Sequence, residues 1–168
     1  LGRNVPKDIS KAVMHFRSAA YQNIAFAQAC LGAIYFKGEG VPQDYRTAAD
    51  WYRQAADQGD AHAQRELGQL YRRGQGVHRD YFKAIKWFQS AGEGGDKDGF
   101  NDLGLLYLNA EGVERDYEAA ISWFEKSAAM GYALALHNLG VIYAKKDFVR
   151  QSDEKAFQYY SQAAEKGH

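Results

Sequence analysis

Four Leu-Gly dipeptides, Leu31-Gly32, Leu67-Gly68, Leu103-Gly104 and Leu139-Gly140, recur at a spacing of 36 residues each time. A fixed period of this length constrains a fold more than any single motif. Each unit is one supersecondary element that cannot bury its apolar face alone and must stack on its neighbours. Other residues keep the same register: Tyr35, Tyr71, Tyr107 and Tyr143; Gly40, Gly76 and Gly112; Asp44, Asp80 and Asp116; Ala48, Ala84, Ala120 and Ala156; and the only tryptophans, Trp51, Trp87 and Trp123. Gly59, Gly95, Gly131 and Gly167 close the units.

Within a unit the pattern predicts two helices. Ala61, Ala63, Leu67, Leu70 and Tyr71 recur at helical spacing and mark a helix A. The glycines of Arg73-Gly74-Gln75-Gly76 end it, because glycine accepts the left-handed terminal conformation. Asp80 is placed to N-cap a helix B, whose apolar face carries Ala84, Trp87, Phe88 and Ala91. Counted this way, residues 1–24 hold helix B of a truncated repeat, and repeats occupy 25–60, 61–96, 97–132 and 133–168. The expected fold is an all-α, α/α superhelical repeat solenoid of 36-residue helix–turn–helix units with nine helices, one continuous stack and a piece of a longer array.

The units follow Ala-x-Ala-x3-Leu-Gly-x2-Tyr-x2-Gly-x-Gly-Val-x2-Asp-x3-Ala-x2-Trp-x3-Ala-Ala-x2-Gly, and residues 61–95 depart from it only at Gly92. This resembles the Sel-1-like repeat family, relatives of the tetratricopeptide repeats, and the resemblance runs over essentially the whole chain. It implies a right-handed α/α superhelix with A helices lining a concave groove. It also implies a scaffold or adaptor role of the kind seen in bacterial signalling, envelope biology, host interaction and endoplasmic-reticulum quality control. Two stretches depart from the pattern. Residues 144–152 lose Gly-x-Gly-Val and the capping Asp, which predicts a differently shaped loop. Gly92-Glu93-Gly94-Gly95 replaces Ala-x-x-Gly. An interior glycine costs roughly 0.5–1 kcal/mol relative to alanine, so the second helix pair is expected to be loose at its end.

Composition narrows the function. Lys plus Arg and Asp plus Glu are 21 each, which gives no support to a nucleic-acid partner or an anionic membrane surface. No apolar run suits direct membrane insertion. One cysteine, Cys30, excludes an internal disulfide and a multi-cysteine zinc site. The five histidines show no metal spacing, and no cofactor is implied. His15, at the tryptophan position of the truncated unit, reads as a packing substitute. Ser152-x-x-Lys155 matches a hydrolase motif superficially, but Ser152 stands where other units place the N-cap aspartate. No catalysis is expected.

The leading expectation is a protein- or peptide-binding scaffold. The alternatives are an architectural or self-associating array and, last, a hydrolase. With Ala25, Ala61, Lys97 and Ala133 as position 1, positions 3, 7 and 11 form the core stripe. The three tryptophans are expected in the core, holding successive units together. Positions 2, 5, 9 and 12 form a second stripe, which in tetratricopeptide-like solenoids faces the groove. It reads Phe26, Ala29, Ala33, Phe36; His62, Arg65, Gln69, Arg72; Asp98, Asn101, Leu105, Leu108; and Leu134, His137, Val141, Ala144. With Arg73 beside it, the second unit is locally positive. The partner expected is an extended segment with an acidic residue between apolar anchors, together with adjacent repeats of a full-length chain.

Overall fold

The computed structural model describes residues 9–145 and 152–167. Among them are nine helices and no strand: α1 (Ile9–Tyr21), α2 (Ala25–Lys37), α3 (Tyr45–Ala56), α4 (Ala61–Arg73), α5 (Tyr81–Glu93), α6 (Lys97–Asn109), α7 (Tyr117–Ala129), α8 (Ala133–Ala144) and α9 (Asp153–Glu165). The even-numbered helices through α8 are the A helices, and the others are B helices. The chain divides into two compact units, Leu1–Arg79 and Asp80–His168. The irregular loop expected over 144–152 lies largely outside the described residues.

Helix ends follow the local chemistry. The carboxylates of Asp44, Asp80 and Asp116 accept backbone N–H groups in the first turns of α3, α5 and α7. Ser152 Oγ does the same for α9, accepting the Lys155 N–H at 3.2 Å. Gly38 and Gly74 close α2 and α4 in the left-handed region. The third unit puts Ala110 in that role at φ 58°, a conformation costing an L-residue roughly 1–2 kcal/mol.

In the first unit, Ala20, Ala27 and Leu31 form a buried cluster covered by Phe16, Ala19, Ile34 and Trp51. In the second, Ala120, Ile121, Phe124, Ala135, Leu139 and Ile142 do so. Positions 3 and 7 of the A helices are buried as expected, at Ala27, Leu31, Ala63, Leu67, Leu103, Ala135 and Leu139, whereas at position 11, also expected in the core, only Tyr71 is buried and Tyr35, Tyr107 and Tyr143 are half-buried. The tryptophan expectation needs correction. Trp51, Trp87 and Trp123 are only half-buried, and the fully buried ring in each unit is the next residue: Tyr52, Phe88 or Phe124.

The reason lies in the Leu-Gly glycine. A Cβ on Gly32 would sit 2.6 Å from the Tyr52 ring, on Gly104 2.5 Å from the Phe124 ring, and on Gly140 2.6 Å from the Tyr160 ring. Helix A thus gives up a side chain so that the aromatic of its own helix B can lie on its backbone. The tryptophan, about 100° further round helix B, packs at the margin. Trp51 reaches the Ala20–Ala27–Leu31 cluster, and Trp123 stacks on Phe100 at 5.6 Å.

Two glutamines buried at position 4 were not anticipated. Gln28 Nε2 donates to the Ala20 carbonyl at 3.2 Å, and Gln64 Nε2 to the Ala56 carbonyl at 3.1 Å. Each adds a second hydrogen bond to a carbonyl at the end of the preceding helix B that already accepts a turn N–H, from Asn23 at 3.0 Å and from Gly59 at 2.9 Å respectively. In the third and fourth units Phe100 and Leu136 hold this position.

Phe100 also corrects the reading of Gly92 as a weak point. α5 runs through Gly92 to Glu93, and Gly92 is buried. A Cβ there would lie 2.4 Å from the Phe100 ring, and a Cβ on Gly99 would lie 2.7 Å from the Phe88 carbonyl oxygen. The glycines admit an aromatic ring and a close helix approach, so their intrinsic cost is offset by packing. Gly92→Ala is therefore expected to destabilise by about 1–3 kcal/mol through overpacking. Adding Phe100→Leu should recover most of that loss, because Ala128 and Leu136 are the natural pair one repeat later. Denaturant unfolding of the two singles and the double measures the coupling; additive losses would show that Phe100 is not what Gly92 accommodates.

Candidate binding surface

The groove stripe of the first unit starts from Phe26, whose ring is 69% exposed near the start of α2. An isolated exposed phenylalanine is ordinary, but this one borders a cavity of about 320 Å³. The other walls are Ala29, Cys30 and Ala33 from the same helix, with Asp60 and His62 where α4 begins. Helical spacing accounts for the set: positions 2, 5, 6 and 9 fall on one side of α2. Ala29 is 6% exposed, so it is cavity floor and not an exposed contact, a correction to its place on the stripe. Phe36 is half-buried against Tyr45, with ring centroids 5.3 Å apart.

Cys30 was not among the sequence candidates, because position 6 lies beside the stripe. Burial, and secondarily the Asp60 carboxylate, push its thiol above the ordinary range. Both effects disfavour the thiolate, the form in which a cysteine reacts. Asp60 itself caps α4, accepting the Ala63 N–H at 2.8 Å.

On α4, His62 and Arg73 are exposed, and Gln69 and Arg72 are half-buried. Arg65 is half-buried too, and its guanidinium donates to Glu66 at 2.6 Å. The positive character expected of this helix is therefore offset at its centre and strongest at its C-terminal end.

The second compact unit carries the remaining stripe positions, and most are occupied by packing. Asn101 is 3% exposed, and its Oδ1 accepts the Asn138 side chain at 2.9 Å, so it is corrected from groove contact to buried polar pair. Leu105 and Leu108 pack on the Phe124–Leu139 cluster. His137 is half-buried with its ring 5.5 Å from Tyr160. Asp98, Leu134 and Val141 are half-buried, and Ala144 is exposed. The missed element in both units is depth: a stripe tells which way a residue points, not whether its neighbours close over it.

Elsewhere, His15 is exposed and does not replace a tryptophan in packing. A second cavity of about 450 Å³ is lined by Arg46, Gly74, Gly76, Val77 and His78. Among the described residues no His, Cys, Asp and Glu are grouped to hold a metal ion, and no helix is long and apolar enough to cross a membrane.

The Sel1 repeat profile matches residues 1–24, 25–60, 61–96, 101–132 and 133–168. Among solved structures, the Sel1 repeat protein from Oxalobacter formigenes is 36% identical with a TM-score of 0.88, over 98% of this chain and 67% of its own. The protective antigen c5321 of uropathogenic Escherichia coli, described as displaying an SLR fold, is 39% identical with a TM-score of 0.88, over 96% of this chain. This chain spans only 34% of that antigen's length. Helicobacter pylori cysteine rich protein B is 25% identical with a TM-score of 0.60, over 80% of this chain and 97% of its own. Comparison with curated proteins found no match. The fold is accordingly that of an all-α repeat solenoid, one consistent with a protein-interaction role.

Proposed function

From the premise that this chain belongs to the Sel1 repeat family, we propose that it is a protein- or peptide-binding scaffold and that the A-helix surface of its first compact unit takes the ligand. The observation carrying this reading is the apolar cavity beneath Phe26, bounded by His62 at its rim. A cavity of this size accepts a single large apolar side chain, and the exposed Phe26 ring supplies contact area beside it. Along α4, Arg65, Arg72 and Arg73 outnumber Glu66. The ligand is accordingly an extended segment with an apolar anchor for the cavity and a carboxylate beyond it, since guanidinium groups bind carboxylates in paired hydrogen bonds.

Peptides selected from a random library on the intact protein test this. Those carrying the proposed pattern should bind wild type and lose at least tenfold in affinity, roughly 1.4 kcal/mol, to Phe26→Asp or His62→Asp. Both side chains are exposed, so melting should move by no more than about 0.5 kcal/mol equivalent. Cys30 gives an independent readout, being the only cysteine and lining the cavity. Its alkylation should be slower than that of a free thiol at the same pH, and slower again with peptide bound. Selected peptides that bind both variants normally and leave Cys30 unprotected place recognition elsewhere.

A further inference from the structure

A local excess of charge and a cavity meet at one loop of the first compact unit. Residues 72–79, Arg-Arg-Gly-Gln-Gly-Val-His-Arg, hold three arginines, a histidine and no acidic group. The corresponding loop one repeat earlier sets Lys37 against Glu39 at 3.7 Å, and the one after carries Glu111 and Glu114 against Arg115. The excess therefore belongs to this loop and not to the repeat, in a chain of zero net charge.

The same loop walls the cavity of about 450 Å³ that the peptide-binding reading leaves unused. Arg46 and His78, both exposed, line it with Gly74, Gly76 and Val77. The loop rests on the start of α3: a Cβ on Gly76 would lie 2.6 Å from the backbone nitrogen of Arg46. Glycine can line a cavity only with its backbone. The sign of φ alternates through Gly74 at 69°, Gln75 and Gly76 at 70°, and among the described residues no carbonyl accepts the N–H of Gly76 or Val77. Successive backbone N–H groups in such a conformation form concavities that hold anions. The acidic group beside Arg46 is already committed. Asp44 Oδ1 accepts the Arg46 and Thr47 N–H groups at 3.0 and 3.3 Å, and Oδ2 accepts the Thr47 hydroxyl at 2.6 Å. The start of α3 is thus capped, and the cavity relies on the loop and two side chains. One repeat later the loop is seated in the same way, Gly112 against Tyr81, but Phe82 and Glu114 replace Arg46 and His78.

We infer that this cavity binds a phosphate group, free or as a phosphomonoester. The Arg46 guanidinium offers a planar pair of donors matched to two phosphate oxygens. The His78 imidazole and the Gly76 and Val77 N–H groups supply donors for the others. A carboxylate has only two oxygens and would leave part of this set unused. The site shares no residue with the Phe26 cavity, so it goes beyond the peptide-binding reading and does not depend on it.

Amide NMR of the full chain, titrated with sodium phosphate and separately with sodium chloride at matched ionic strength, tests the inference. Phosphate should shift Gly76, Val77 and the Arg46 side chain saturably, and chloride should not. Arg46→Glu and His78→Glu install the residues that the third repeat carries at these positions, Glu118 and Glu114, so both variants should melt as wild type does. Each should weaken phosphate binding at least tenfold. If either unfolds, Arg46→Gln combined with His78→Gln carries the same test without adding charge. Blocked phosphoserine and ribose 5-phosphate then identify the carrier. Tighter binding of the first marks a protein-borne phosphate, tighter binding of the second a small molecule, and equal binding a site that reads the group alone. Three results overturn the inference: shifts that chloride reproduces, shifts that never saturate, or shifts across Arg72, Arg73 and Arg79 that persist in the folded variants. Any of these would mean a basic surface that salt merely screens.

Discussion

Phe124→Ala is expected to lower the unfolding free energy by about 3–5 kcal/mol, whereas Trp123→Ala, one residue away and larger, should cost only about 1–2 kcal/mol. Phe124 is fully buried and its ring lies on the backbone of Gly104, with no side chain between. Removing it leaves a cavity that α6 and α7 cannot close without shifting as whole helices. Trp123 is half-buried, with Phe100 stacked on one side and the Lys126 ammonium 3.9 Å from its ring centroid. Its truncation removes contacts at the margin, and water fills the space. Urea unfolding followed by far-UV circular dichroism separates the two losses. Equal losses, or a larger one at Trp123, would return the anchoring role to the tryptophan.

Gly76→Ala should be as damaging, at about 3–5 kcal/mol, from two costs that add. Gly76 has φ 70°, where an L-residue is strained, and a Cβ there would lie 2.1 Å from the Tyr45 carbonyl oxygen. That neighbour is backbone at the first residue of α3, so no side-chain rotation relieves the clash. Gly131→Ala is the control. Gly131 has φ 83°, yet a Cβ there would meet nothing within 4 Å, so only the conformational cost of about 1 kcal/mol applies. A loss at Gly76 no greater than at Gly131 would mean that the loop moves away without penalty. Gly112, whose Cβ would meet the Tyr81 side chain, repeats the arrangement in the other unit. In both places the loop after one helix A is seated on the start of the preceding helix B.

Among relatives, the share of each chain covered bears on function. The protein spans 34% of the uropathogenic antigen it resembles.

What the sequence determined by itself was whatever depends on period and on local backbone chemistry. A 36-residue recurrence of Leu-Gly, Tyr, Asp and Ala specifies the nine helices of the described residues, in alternating A and B classes, because helical spacing and capping act over a few residues. The Asp44, Asp80, Asp116 and Ser152 caps were legible for the same reason. Only the tertiary structure decided which of two adjacent aromatics is the anchor. A repeated tryptophan and a repeated Tyr or Phe beside it look equally apolar in a sequence, and the choice depends on which one points at the helix A glycine. It likewise decided that Gly92 makes room for Phe100, that Asn101 is spent on Asn138, and that Cys30 joins Phe26 around a cavity. Each is a contact between residues on different helices, or a depth beneath neighbours. Periodicity gives the direction of a side chain from its helix axis and carries no information about the distance to the next surface.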